Sequence, residues 1–144
     1  MRMLTGALVL WAGAALAADP VGQIKSLEGS ASVIRAGAEQ ALAGGEALQA
    51  DDVLVTKAGS TLGIVFRDDT TLAMGPSSRL VIDRLLFQPA ASQLDLGLSF
   101  DKGTFSVQSG QIAKLAPERT NFRTPTASLA IRGTSFLVKV DGNE

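Results

Sequence analysis

The chain has 144 residues, of which 13 are basic and 14 acidic for a formal net charge of −1, and it contains no Cys, no His and no Tyr. Without His or Cys, a Ser-His or Cys-His nucleophile and the usual imidazole or thiolate metal sites are excluded, and stability must come from packing without disulfides. The charges are dispersed, with no basic block and few aromatics to stack on bases, so no nucleic-acid partner is expected.

In chain order, the first expected element is a secretory signal peptide over residues 1–17. Arg2 supplies a positive start, Leu4 to Leu16 is apolar or small, and Ala15-Leu16-Ala17 reads as a small-x-small cleavage site before Ala18. The apolar run is shorter than the roughly 20 residues that span a bilayer, and Asp19-Pro20 follows at once. No Cys follows the cleavage site to carry a lipid anchor, so the mature protein is expected to lack a membrane span and to reside in the periplasm or outside the cell. Removing Arg2 leaves 12 basic against 14 acidic residues, a charge of −2. Residues 18–144 then suit a single domain with one core.

Short alternating runs punctuated by Gly, Asp and Ser predict strands joined by turns, and helical periodicity is hard to find. Val21 to Ile24 and Ala31 to Ile34 flank a turn-like break at Leu27-Glu28-Gly29-Ser30 and are expected to make a first ribbon, with Gly37 to Gly45 as a loop or hairpin end. Val53 and Val55 alternate on the next run. The clearest hairpin has Leu62, Ile64 and Phe66 on one face, a turn at Arg67-Asp68-Asp69-Thr70, and Leu72 and Met74 on the returning strand. Leu80 and Ile82 start another strand, Pro89 breaks the chain, and Leu94, Leu96, Leu98 and Phe100 show the strictest period of two. Asp101-Lys102-Gly103 is expected to be a three-residue hairpin loop with Phe105 and Val107 returning along its far side. The expected fold is all-β, with short, mostly antiparallel strands in a two-layer roll, solenoid-like or sandwich arrangement.

The C-terminal run from Arg123 to Val138 contains Thr124-Pro125, a small residue two positions after the Pro, and then Arg132-Gly133-Thr134-Ser135-Phe136-Leu137-Val138. This resembles the closing motif of the FecR-like periplasmic domain family. The resemblance extends back through Leu94 to Gly103, Ser78-Arg79-Leu80-Val81-Ile82, Leu62 to Phe66 with Asp68-Asp69-Thr70, and Val53 to Thr56, to an entry at Gly45-Glu46-Ala47-Leu48; its best span is 45–140. It implies a periplasmic module for sensing or protein interaction, with Thr124, Pro125, Arg132, Gly133, Thr134 and Phe136 as family motif residues. Asp69 stands where the family has Gly; Asp tolerates a left-handed backbone, so the turn is expected to persist. The iron-dicitrate regulator of that family carries an inner-membrane helix and a cytoplasmic segment. With neither expected here, the chain is not expected to pass a signal across a membrane alone.

Two carboxylate pairs, Asp51-Asp52 and Asp68-Asp69, are candidates for calcium, which binds oxygen donors at turns, or for acid–base chemistry on a glycoside. Both sit where turns are expected, and Asp is a common turn residue because its side chain bonds nearby backbone N–H groups. The turn role is the stronger reading, so no catalytic residue and no cofactor are expected. Arg132, in the middle of an apolar strand, must face solvent or find a partner; a structural clamp is favoured over a contact site. Thr124-Pro125 reads as strand-edge architecture, since Pro cannot donate to a ladder. The leading function is a non-enzymatic module for protein interaction, sensing or regulation that binds an unidentified periplasmic or envelope protein. A structural or surface-assembly scaffold is the alternative, and a carboxylate-based hydrolase comes last.

Overall fold

The computed structural model describes residues 20–125, 128–129 and 135–140. Twelve strands form one continuous sheet, curled into a half-barrel. They are β1 (Gly22–Glu28), β2 (Ala31–Arg35), β3 (Ala38–Ala41), β4 (Ala47–Leu48), β5 (Val53–Thr56), β6 (Thr61–Phe66), β7 (Thr71–Met74), β8 (Arg79–Gln88), β9 (Gln93–Gln108), β10 (Thr120–Arg123), β11 (Ser128–Leu129) and β12 (Ser135–Val140). A short helix, α1 (Gln111–Leu115), and a 3₁₀ turn at Pro117–Arg119 lie between β9 and β10. The expected all-β class holds, and the pairing is antiparallel except where β10 runs parallel to β9.

The sheet is organised around β9, which is 16 residues long. Its first half pairs with β8, from Gln88 opposite Gln93 to Arg79 opposite Lys102. Its second half pairs with β7, from Met74 opposite Phe105 to Thr71 opposite Gln108. β7 and β8 therefore follow one another along the same edge of β9, interrupted at Gly75–Ser78. The expected hairpin loop at Asp101-Lys102-Gly103 does not form. The chain instead bends within a continuous strand, because the strands flanking each half hold both in register. Gly103 takes φ +105, and a Cβ there would collide with the side chain of Ser78. Polar groups at the crossing are satisfied locally: Thr56 Oγ1 donates to the Gly75 carbonyl at 2.6 Å, the Ser78 N–H donates to Thr56 Oγ1 at 2.9 Å, and the Thr104 N–H donates to Ser78 Oγ at 3.1 Å. Buried donors and acceptors must be paired somewhere, and this corner pairs them through side-chain hydroxyls together with backbone bonds from the Gly75 N–H to the Thr104 carbonyl at 2.8 Å and from the Thr56 N–H to the Ser78 carbonyl at 2.9 Å.

Two further expectations are corrected. β1 and β2 do not pair with each other: β1 joins β6 and β4, while β2 joins β5 and β3, so the turn at Gly29-Ser30 carries the chain from one half of the sheet to the other. Gly37 to Gly45, expected as a loop or hairpin end, is so only in part: Ala38–Ala41 is β3, while Gly37 lies in a hairpin turn and Gly44-Gly45 form a second turn. Ala36 and Gly37, with φ of 51° and 79°, make a two-residue turn that sets Arg35 opposite Ala38. Positive φ at both central positions is the hairpin geometry that matches strand twist. The hairpin of β6 and β7 forms as expected, with Ile64 opposite Leu72 and Leu62 opposite Met74.

The inward faces of both halves meet in one core that includes Ile24, Leu54, Leu62, Ile64, Leu80, Leu98 and Val107. Phe100 and Phe105, on either side of the bend, pack at 4.8 Å between ring centroids, and Phe122 of β10 lies 5.9 Å from Phe100. Each such side chain contributes about 1.5–3 kcal/mol on full burial. The bend lets the two halves share this cluster.

Candidate functional site

Asp51 and Asp52 occupy the turn between β4 and β5. Asp51 is exposed with φ 70°, and its N–H donates to the Ile82 carbonyl at 2.7 Å. Asp52 is fully buried. The Arg35 guanidinium grips its carboxylate with Nε donating to Oδ1 at 2.9 Å and Nη2 to Oδ2 at 2.7 Å, and the Gln49 N–H donates to Oδ2 at 2.9 Å. This two-pronged geometry is the strong form of the Arg–carboxylate pair. The Asp52 hydrogen bonds push the Arg35 pKa above its ordinary value, although burial opposes them.

Asp68 and Asp69 have the same division of labour in reverse order. Asp69 is exposed with φ 69°, so the left-handed turn that Asp tolerates is present. Asp68 is fully buried. Its Oδ1 accepts from the Thr70 N–H at 3.1 Å, and its Oδ2 accepts from Thr70 Oγ1 at 2.8 Å and from the Ile112 N–H at 3.1 Å. The Asp68 carbonyl accepts the Gln111 N–H at 2.7 Å, and Thr70 Oγ1 accepts the Gly110 N–H at 3.1 Å. A hairpin turn thus satisfies the free N–H groups at the start of α1, more than forty residues away, as a cap normally does from within the helix. Gln111 Nε2 completes the clasp on Asp69 Oδ2 at 2.9 Å.

The buried carboxylate of each pair is thus engaged by the fold, and the two pairs sit in different turns. Among the described residues no group of three or more acidic side chains is placed to hold a metal ion.

Of the motif residues, Thr124 is half-buried and engaged, Pro125 is exposed, and Phe136 is half-buried with its ring 5.4 Å from that of Phe122. Phe136 thereby extends the aromatic cluster from β10 to β12. Arg132, Gly133 and Thr134 lie outside the described residues.

The outer surface holds features that sequence reasoning missed. On the β8, β9 and β10 side, Arg79 pairs with Asp101 at 3.3 Å, Arg84 with Asp95 at 2.9 Å and Arg123 with Asp83 at 3.2 Å; Ser99 Oγ donates to the same Asp83 oxygen at 2.7 Å. A bulge at Asp83 shifts the register between Ile82, opposite Leu98, and Arg84, opposite Gly97. The signal was present as Asp and Arg at the non-core positions of two alternating strands. Leu86, Leu115 and Leu137 are large apolar side chains left exposed. One open hollow of about 600 Å³ is lined by Gly22, Gln23, Ala47, Val65, Phe66 and Arg67 at one end of the sheet. Another, of about 660 Å³, lies at the tip of the β8–β9 ribbon.

Fold and surface together define a curled all-β domain with its buried carboxylates committed to its own turns. The family described as FecR protein matches residues 52–144, and the chain belongs to that family, which is a regulatory one. The match begins at Asp52 rather than at Gly45. No curated protein and no solved structure matches the chain at a significant level. Among the described residues no helix is long and apolar enough to cross a membrane.

Proposed function

We propose that the chain is a non-enzymatic FecR-type module of the periplasm, exported by a signal peptide over 1–17 and working as one domain over 18–144, that senses or regulates by binding another envelope protein. The observation that carries this reading is the family match over 52–144, on a family tied to regulation in iron-transport signalling. The buried carboxylates support it, because Asp52 and Asp68 have their oxygens engaged by Arg35, Gln49, Thr70 and Ile112. Under this reading Asp51, Asp52, Asp68 and Asp69 serve turns, so a chelator leaves the melting temperature unchanged. A chelator-induced fall of several degrees would return calcium to these positions.

The decisive experiment is cross-linking in intact cells followed by identification of the captured proteins, together with N-terminal sequencing of material released by osmotic shock. The expected results are a heterologous envelope partner and a mature terminus at or near Ala18. Capture of the chain's own copies alone would favour the scaffold alternative, and an intact Met1 on protein recovered with membranes would overturn export by cleavage.

A further inference from the structure

Among the described residues the outer strands of the sheet are β3, β4, β11 and β12. β4 and β11 are two residues long, and β3 has four residues and carries Glu39, whose carboxylate is tied to Ser32 and Lys57. Short or charged strands are how an edge is kept from pairing with another chain. β12 differs from all three. Its six residues run in unbroken antiparallel register with β9, from Ser135 opposite Gln108 to Val140 opposite Gly103, with no Pro and no bulge, and its one charge is Lys139.

The ladder determines which backbone groups of β12 are left over. The Gly75 N–H donates to the Thr104 carbonyl at 2.8 Å. Successive residues of an antiparallel strand turn their N–H and C=O groups to opposite sides, so Thr104, Ser106 and Gln108 turn theirs toward β7, and Phe105 and Val107 turn theirs toward β12. Their partners there are Val138 and Phe136. The N–H and C=O groups of Ser135, Leu137 and Lys139 therefore point away from β9, and among the described residues no strand pairs with that side of β12. Both faces of the strand are incompletely covered as well. On the core side Phe136 and Val140 pack against the core yet stay half-buried. On the outer side Leu137 is 77% exposed, because its neighbours across the ladder, Ser106 and then Ala73, are small.

We propose that β12 pairs edge to edge with β12 of a second copy of this chain, antiparallel about a two-fold axis through Leu137, so that the two sheets become one. Backbone pairing alone does not choose the occupant of an edge; the side chains do. This axis sets Leu137 opposite Leu137 as a hydrogen-bonded pair on the outer face and Phe136 opposite Val138 on the core side, where each covers what the other copy leaves half-buried. Lys139 falls opposite Ser135, so no like charges meet. An axis through Val138 would instead press Leu137 against Lys139. Strand addition buries less than a standard interface, so the dimer belongs to the weak, reversible class. Self-pairing does not depend on the envelope partner proposed above, and the two are tested separately.

Sedimentation equilibrium of the mature full-length protein over roughly 10 µM to 1 mM tests the pairing. The expected result is a reversible monomer–dimer equilibrium. Leu137→Pro removes an N–H that the protein's own ladder does not use, at an edge position where Pro is tolerated, so this variant should keep its amide NMR spectrum outside β12 and lose the dimer. Ser135→Glu, facing Lys139 of the second copy, should tighten the dimer about threefold, and Ser135→Lys should weaken it by a similar factor. Ser135 is exposed, so these two variants read the register whether or not the Pro variant folds. A wild type that stays monomeric over the whole range, a dimer that survives in folded Leu137→Pro, or two Ser135 variants that shift the affinity in the same direction would each overturn the proposal. A monomeric wild type whose cross-link to an envelope protein is lost in Leu137→Pro would overturn it in favour of a foreign strand on the same edge.

Discussion

At Asp52 a fully buried carboxylate meets a guanidinium; at Asp68 an equally buried carboxylate meets only N–H and O–H donors, with no ion pair to it among the described residues. Both belong to Asp-Asp dipeptides in which the other Asp takes positive φ at a turn. The difference shows two ways to retain a buried charge. Asp52 neutralises a charge with a charge and ties β2 to the β4–β5 turn. Asp68 spreads its charge over oriented dipoles and ties a hairpin to the start of α1. The first arrangement is intolerant of losing one partner, whereas the second fails by degrees as donors are removed.

The largest expected effect tests that intolerance. Arg35→Ala leaves Asp52 buried without its counter-charge and should cost about 3 kcal/mol, toward the low end of buried-pair losses because Arg35 is itself 34% exposed. Urea melts of Arg35→Ala, Asp52→Ala and the double variant measure it. The double variant should recover part of the loss, and strictly additive costs would remove the ion pair from the account. Asp68→Ala should cost about 2 kcal/mol through the unpaired Thr70 and Ile112 N–H groups. Its signature is local: amide exchange should quicken at Ile112 and Thr70 far more than at Gln49. Uniform acceleration across the sheet would show that Asp68 does not act as a remote cap.

A smaller pair of effects tests the shared part of the layout. Asp51→Val and Asp69→Val should each cost about 1–2 kcal/mol, because a β-branched side chain resists the left-handed backbone that both turns require. Asp69→Val should be slightly worse, since it also loses the Gln111 hydrogen bond. A neutral result at either position would mean that the turn relaxes. The smallest effect is a pH dependence at an exposed carboxylate of β3. Ser32 Oγ donates to Glu39 Oε1 at 2.8 Å and, with the Lys57 ammonium beside it, holds the Glu39 pKa below its ordinary value. The contribution is present above the unfolded-state pKa and is lost as pH falls through the lower folded-state value. Glu39→Gln should therefore narrow, by a small margin, the stability difference between neutral and acid pH in thermal melts. A wild-type acid profile would show that the Ser32 bond is silent.

Local chemistry was legible where one short stretch contains all of its determinants. The β6–β7 hairpin carries its apolar alternation, its turn and its return within Leu62 to Met74, and it forms in the expected register. Gly103 was read correctly as a backbone position needing freedom and wrongly as a hairpin tip. A positive-φ Gly serves a turn or a bend equally well, and the choice between them was made by β7, β8 and β12 pairing along both halves of β9. The Asp pairs were read as turn residues, but nothing local distinguishes the buried member from the exposed one. Arg35 lies 17 residues from Asp52, and Ile112 lies 44 from Asp68.

The sequence by itself determined the all-β class, the family and those turns whose flanking strands are local, such as Arg67 to Thr70, because periodicity, Gly and Asp placement and the closing motif are properties of neighbouring residues. Only the tertiary structure decided the strand order, the pairing of β1 and β2 with the matched region, the split roles within each Asp pair and the hollow at the tip of the β8–β9 ribbon. The family match begins at Asp52, yet β5 and β6 hydrogen-bond to β2 and β1, which lie before it. Pairing between strands is carried by backbone groups that are alike at nearly every residue, so the partner of each strand is selected by the burial of the whole curled sheet.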